Sequence, residues 1–405
     1  MTFIYDITLF LVIILSIPKY LFGFIVKKKY RNILPKIFFS ISPRLKKGSI
    51  AMLHAVSLGE VKALETIIPH ILKSNRYDSI VITVHTETAY RYACSLTSQR
   101  IYLYYLPFDL SFLVRAFIKG TRPSILILVE GDYWFNLIRL IKQQKGQIVV
   151  VNGKISEKSL CRFNKFKWLR DNIFKNIDFF CLQNTLYLER YKKLGIPQNK
   201  LCVSGNIKSD YSSNVTFSKL RIIKEYNIIP SNVVITVGST HHSEEMIIAK
   251  ELHTLLEGYT HLKLLIVPRH PERFNEVERL FSHPRIHVVK QMGVLEACYS
   301  LSTVAIVGGS FIKGIGGHNI LEPLRFSVPV IYGEYMENQA EMDKQVAHYG
   351  AGFKVSISTL SKKVKALIDN ESLRADISKK CKNLVDDQKG ISGKTWGIIE
   401  ELASS

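Results

Sequence analysis

Three observations predict an α/β fold built from two Rossmann-like, doubly wound domains. From Ser49 onward, short apolar runs rich in β-branched residues alternate with helix-compatible segments: Ile50 to Val56, Ile80 to Val84, Ile101 to Leu106, Ile125 to Val129, Ile148 to Val151 and Phe179 to Leu182. That rhythm is the signature of a parallel sheet covered by helices on both faces. A second series follows Gly205: Val233 to Val237, Leu264 to Val267, Ile286 to Val289, Val304 to Val307 and Val328 to Tyr332. Finally, 405 residues exceed one ordinary core, so two domains are the expectation.

Taken in order, the chain opens with the apolar stretch Phe3 to Val26, close to a membrane span in length and interrupted by Asp6, Pro18 and Lys19. An anchoring helix is expected, either crossing the bilayer or lying in its interface. Lys27, Lys28, Lys29, Arg31 and Lys36 follow it and no cation precedes it, which places the bulk of the protein on the cytoplasmic side. The basic segment Lys27 to Lys47, with Ile37, Phe38, Phe39 and Ile41 interleaved, is expected to lie against anionic headgroups. The organisation read from the sequence is therefore 1–47 for the anchor and its basic flank, 48–205 for the first domain and 206–405 for the second. The last helix crosses back to the first domain, and the ligand site lies between the domains.

Composition narrows the function. Hydrophobic residues at 47% and charged residues at 22% exclude a disordered chain, and a net charge of +21 directs attention to anionic partners: nucleic acid, acidic phospholipid or a phosphorylated substrate. The six cysteines, Cys94, Cys161, Cys181, Cys202, Cys298 and Cys381, have no metal-binding or disulfide spacing and read as buried thiols of a reducing compartment.

In open α/β sheets ligands bind at the carboxyl ends of the strands, so the polar residues there are the candidates. In HAVSLGE, Ser57 and Gly59 follow the first strand and Glu60 opens a helix, where a carboxylate serves the helix dipole or acts as a general base. Glu130 and Asp132 end the fourth strand as substrate-orienting candidates, with Trp134 beside them as a sugar platform or a part-buried aromatic. In the second half, Ser239 and Thr240 stand between a strand and a helix start, a position equally suited to phosphate and to an N-cap. Arg269 and His270 end another strand, and Lys208 adds a cation near the domain junction. The stretch from Thr303 to Pro323 is the richest. A buried strand runs into Gly308 and Gly309, then Gly314, Gly316 and Gly317 extend a loop with little bulk, and Asn319 is expected to cap a helix carrying Glu322. Backbone amides there suit a phosphate, and Glu322 suits a ribose diol.

HAVSLGE, YLPFD, EGDYWFN, VNGKISEKS, GNIKSD, GSTHHSEE, VPRHPERF and GGHNILEP, in this order and over nearly the whole chain, resemble the Kdo transferases of lipopolysaccharide assembly (Kdo, 3-deoxy-D-manno-octulosonic acid). The resemblance implies a GT-B glycosyltransferase that moves Kdo from CMP-Kdo to a lipid A precursor with inversion and without a metal or other cofactor. It implies Glu60 as general base, acceptor contacts around Ser57, Gly59, Glu130 and Asp132, and a donor site drawn from Lys208, Ser239, Thr240, Pro268, Arg269, Gly293, Val294, Leu295, Gly316, Gly317, His318, Asn319, Ile320, Leu321 and Glu322. The chain departs from the family pattern at three places: Asp132 stands where a second glutamate is usual, Val294 where a glutamate follows the glycine, and the threonine segment ending at Tyr90 lacks its glycine turn. Competing readings are another GT-B enzyme, such as a nucleotide-sugar epimerase or an N-acetylglucosaminyl transferase, and a basic membrane-attached nucleic-acid binder. The last lacks any recognised nucleic-acid motif, so no nucleic-acid partner is expected.

Overall fold

A computed structural model of the protein describes residues 2–25, 45, 48–211 and 215–404. The chain forms two compact units, Met1–Tyr211 with Gly390–Ser405, and Ser212–Lys389. The basic segment Lys27 to Lys47, apart from Leu45, lies outside the described residues.

The first unit is a seven-stranded sheet of β1 (Ile50–His54), β2 (Ser79–Val84), β3 (Ile101–Tyr105), β4 (Ile125–Val129), β5 (Gln147–Gly153), β6 (Phe179–Leu182) and β7 (Leu201–Val203). Its order is β3-β2-β1-β4-β5-β6-β7, and every pair is parallel. Because side chains alternate across a strand, β1 and β4 feed two cores at once. Ala51, Leu53, Ile125, Ile127 and Val129 face one core with Val61, Leu64 and Ile67 of the helix Leu58–Lys73 and Trp396 and Ile399 of the last helix. Ile50, Met52, Leu126 and Leu128 face the other, against Phe117 and Ile118 of the helix Ser111–Thr121 and Leu137 and Ile141 of Phe135–Gln143. Burial on both faces is why these strands read as unbroken apolar runs.

The N-terminal helix Thr2–Ile25 is tied to this unit by its polar residues. Asp6, an interruption in the apolar sequence, accepts from the Ser111 backbone N–H at 3.1 Å and from Asn136 Nδ2 at 2.8 Å, while the Tyr5 hydroxyl donates to the buried Asp109 at 2.9 Å. Phe3, Phe10, Leu11, Val12 and Leu15 remain exposed. Among the described residues no helix is long and apolar enough to cross a membrane.

In the second unit six parallel strands stand in the order β10-β9-β8-β11-β12-β13: β8 (Val233–Thr240), β9 (Leu262–Pro268), β10 (Ile286–Val288), β11 (Val304–Val307), β12 (Val330–Tyr332) and β13 (Gly352–Lys354). The run expected from Val328 begins as strand two residues later, after Pro329, whose nitrogen has no hydrogen to donate.

The division falls between Tyr211 and Ser212 instead of between 205 and 206. The intervening 3-10 turn Ile207–Asp210 belongs to the first unit because Ile207 is fully buried there, its N–H donating to Asn152 Oδ1 at 3.1 Å. Asp210 holds the returning C-terminal segment, accepting from the backbone N–H groups of Gly390 at 2.7 Å and Ser392 at 2.6 Å. The cysteines differ from expectation: Cys181, Cys298 and Cys381 are buried, but Cys94 and Cys161 are exposed on helix surfaces and Cys202 is intermediate.

Candidate active site

Parallel strands bring all their carboxyl ends to one edge of each sheet, which gathers the candidates of the first unit. Ser57 is the N-cap of the helix Leu58–Lys73 and Glu60 its third residue, the spacing of a capping box. Here the box is altered. The Ser57 side chain donates to Glu60 Oε1 at 2.7 Å instead of capping the backbone, and the Val56 N–H donates to Glu60 Oε2 at 2.7 Å. Each carboxylate oxygen is thus oriented by one donor and keeps a second lone-pair site. Burial raises the Glu60 pKa above the usual carboxylate range, with the bonds from Ser57 and Val56 offsetting part of that rise. A carboxylate oriented by two donors and made more basic by burial suits deprotonation of a hydroxyl.

Glu130 behaves differently. It sits just past β4 in the left-handed region at φ 65°, with Asn152 of β5 also left-handed at φ 55°. Burial would raise its pKa, but Lys208 and Lys154 outweigh burial and hold it below the ordinary value. Lys154 Nζ meets Oε2 and Lys208 Nζ meets Oε1, both at 2.5 Å. Glu130 therefore organises two cations at the sheet edge. Asp132, by contrast, is pushed up to about 6 by burial and by its carboxylate neighbours Glu60 and Glu130. Gly59 adjoins this cluster: a Cβ there would lie 3.6 Å from Lys208 Nζ, an ordinary contact.

Lys208, placed by the sequence with the donor residues, belongs to the first unit and its acidic cluster, because the turn that carries it docks on the first sheet. Lys154, which is not among the residues singled out from the sequence, joins the cluster because it stands one residue beyond β5, on the edge where Glu130 stands. Trp134 is an aromatic partner of His85, ring centroids 4.7 Å apart, and its indole nitrogen is buried, so the part-buried aromatic is the better description.

In the second unit, Ser239 and Thr240 are the last residues of β8 and not a helix cap. A register shift at Gly238 extends the strand, and Ser243, left-handed at φ 72°, takes the N-cap position of the helix Glu244–Gly258 without a capping bond from its side chain. The Thr240 hydroxyl is occupied, donating to Glu245 at 2.9 Å. Glu245 in turn receives Arg273 at 2.8 Å. Glu244, fully buried, accepts three backbone N–H groups: His241 at 3.0 Å, Gly309 at 2.7 Å and Phe311 at 3.0 Å. It thereby fixes the start of the glycine loop to the helix.

That loop reaches His318, whose Nε2 lies 2.7 Å from His241 Nε2. Arg269 and His270 follow β9 at the same edge, both exposed, and the His270 ring is 5.2 Å from that of His241. Gly316 and Gly317 adopt φ of 86° and 80° and are stapled by the Asn338 N–H to Gly316 carbonyl bond at 2.8 Å. Asn319 precedes its helix by one residue more than an N-cap: the helix is Leu321–Leu324, and Asn319 Oδ1 accepts the Leu321 N–H at 3.1 Å. Ile320 and Leu321 point into the core, so only their backbone is available to a ligand. Glu322 sits in the first helical turn, while Gly293, at φ 81°, and Val294 lead into the short helix Leu295–Ser300. Val294 and Pro268 are buried. Among the described residues no group of three or more His, Cys, Asp or Glu side chains could hold a metal ion.

Residues 31–211 match the family model described as 3-Deoxy-D-manno-octulosonic-acid transferase (kdotransferase). A 3-deoxy-D-manno-octulosonic acid transferase of Chlamydophila psittaci is 30% identical over 98% of this chain and 95% of its own. The chain belongs to the Kdo transferase family. Kdo transferases are glycosyltransferases, and the fold agrees: a glycosyltransferase of Rickettsia africae superposes with a TM-score of 0.63 at 13% identity, over 88% of this chain and 99% of that one. A UDP-GlcNAc 2-epimerase of Neisseria meningitidis gives 0.64 at 14% identity, over 88% of this chain and all of that one. At such identities the likeness is one of fold, the GT-B fold. This Kdo transferase thus carries its base candidate in one unit and its histidine and glycine-loop cluster in the other.

Proposed function

We propose that the protein transfers Kdo from CMP-Kdo to a lipid A precursor in lipopolysaccharide synthesis, with Glu60 as the general base. The observation that carries this assignment is the setting of Glu60, oriented by Ser57 and the Val56 N–H and made more basic by burial. Glu60 removes the proton of an acceptor hydroxyl as that oxygen bonds the anomeric carbon of Kdo. The bond from that carbon to the phosphate oxygen breaks, its electron pair leaves with CMP, and the anomeric configuration inverts. No metal takes part in this scheme. Lys154 and Lys208, held by Glu130, supply positive charge for an anionic acceptor, and Arg269 with the amides of the glycine loop does so for the donor phosphate.

The protein works at the cytoplasmic face of the inner membrane. Its net charge of +21 and the exposed Phe3, Phe10, Leu11 and Leu15 of the N-terminal helix support a contact with an anionic lipid surface. Glu60→Gln keeps the size and the Ser57 contact but removes the base. Transfer of Kdo to tetraacylated lipid A precursor, read by product mass, is expected to fall by on the order of a hundredfold or more at unchanged thermal stability. Full activity in the variant removes Glu60 from the chemistry.

A further inference from the structure

His241 and His318 meet in an arrangement that the glycine loop is shaped to permit. Their Nε2 atoms are 2.7 Å apart, their ring planes differ by only 8°, and their centroids are 5.0 Å apart. A centroid separation that exceeds the N···N distance by about two ring radii describes coplanar rings joined head to head, not a face-to-face stack. One ring therefore donates its Nε2–H and the other accepts with its Nε2 lone pair. The placement depends on Gly309, at φ 70°, where a Cβ would lie 2.6 Å from His318 Cδ2 and 2.9 Å from its Nε2.

The pair stands among charges that do not neutralise it. From the helix Glu244–Gly258, Glu244 is occupied by three backbone N–H groups, and Glu245 by Thr240 and Arg273. From the segment after β9 come Arg269, His270 and Arg273. Burial first, then His270, Arg269 and Arg273, lowers His241 against an upward pull from Glu245, and burial, then His241, Arg269 and His270, lowers His318 to about 4, so both rings are neutral at neutral pH while no anion is bound.

We propose that His241 and His318 form a phosphate-responsive pair that gains one proton when a phosphate monoester dianion, such as the CMP product, binds beside them. This rests on the donor site assigned under the proposed function. In the neutral pair, the ring that donates Nε2–H carries a bare Nδ1, and the accepting ring carries an Nδ1–H. The incoming proton is drawn from solvent onto that bare Nδ1, leaving an imidazolium hydrogen-bonded to an imidazole. The phosphate in the sugar nucleotide bears one negative charge; once the sugar–oxygen bond breaks, departing CMP bears two. The added proton meets that gain in charge, and His241 becomes a phosphate-positioning residue alongside Arg269.

Calorimetric titration of the whole protein with CMP at about pH 7.5, repeated in buffers of different ionisation enthalpy, reads the proton directly, since CMP is then mostly a dianion. The expected result is an uptake of about one proton per CMP and none with cytidine. His241→Gln and His318→Gln, each checked for folding by thermal denaturation, are expected to abolish the uptake and weaken CMP roughly tenfold, whereas His270→Gln keeps the uptake. CMP binding without uptake, or uptake that survives in both pair variants or vanishes only in His270→Gln, overturns the pair while leaving the donor site intact. Wild-type protein that does not bind CMP overturns the donor assignment itself and the pair with it.

Discussion

Glu60 and Glu130 stand at the same sheet edge, yet burial decides the titration of one and neighbouring lysines that of the other. Their coupling makes the base tunable from outside its own hydrogen bonds. Lys208 lowers the Glu60 pKa and Glu130 raises it. A general base must be ionised, so activity declines as pH falls through its pKa, and anything that raises this pKa moves the acid limb to higher pH. Lys208→Met removes a favourable charge, and the acid limb of kcat/KM is expected to move up by roughly half a unit. Glu130→Gln removes a repulsive charge and releases two cations, so the limb is expected to move down by a similar amount. Profiles from about pH 5 to 8 decide this, and a shift of the same sign in both variants rules out electrostatic control of Glu60. At this scale the sequence was readable where a residue type sits at a strand end, as Glu60, Glu130 and Arg269 do. It was silent where function depends on a partner far along the chain. Lys208 and Glu130 are 78 positions apart, and only the folded sheet joins them.

The glycine loop after β11 shows how an element is held in shape without a side-chain core of its own. Glu244 anchors it with two backbone bonds into Gly309 and Phe311 and a third to His241, and Gly308 leaves the space: a Cβ there would meet Glu244 and the Thr240 backbone at 2.9 Å. Glu244→Ala orphans three N–H groups, that of Gly309 buried and those of His241 and Phe311 part-buried, and is expected to cost about 2–3 kcal/mol, measured by denaturant unfolding, with a loss of CMP affinity. Glu244→Gln presents one acceptor oxygen in place of two and is expected to fall between wild type and alanine. Equal stability of all three proteins contradicts the anchoring role. The strands around this loop were legible because a parallel sheet buried on both faces leaves continuous apolar runs. β7 and β13 were not, because β7 runs at once into Ser204 and Gly205 while β13 opens on Gly352 and closes on Lys354, so neither leaves an apolar, β-branched run. Ser239 and Thr240 were misplaced for a related reason. The register shift at Gly238 lengthens β8 through residues whose types favour a cap.

At the scale of the molecule, the chain leaves its first unit at Tyr211 and returns to it at Gly390, so the last helix completes a core begun more than three hundred residues earlier. Trp396 packs edge-on to Tyr77 at 6.3 Å, Ile399 is fully buried, and Gln147 Nε2 donates to the Leu402 carbonyl at 3.2 Å. The helix is anchored at its start by Asp210, which accepts two backbone N–H groups and the Ser392 hydroxyl. Two consequences separate this architecture from one in which the segment merely trails the second unit. Asp210→Ala removes a charged cap and is expected to cost about 1–2 kcal/mol. A chain ending at Lys389 loses the burial of Trp396 and Ile399, about 1.5–3 kcal/mol for each large side chain, which approaches the whole margin of an ordinary domain. Hydrogen exchange followed by mass spectrometry reads where the loss falls. Amides of β1 to β7 are expected to lose protection in the shortened chain while those of β8 to β13 keep theirs, because the helix contributes to the first core alone. If protection falls equally in both sheets, the helix does not stabilise the first unit selectively; if it falls only in β8 to β13, the assignment of the segment is reversed.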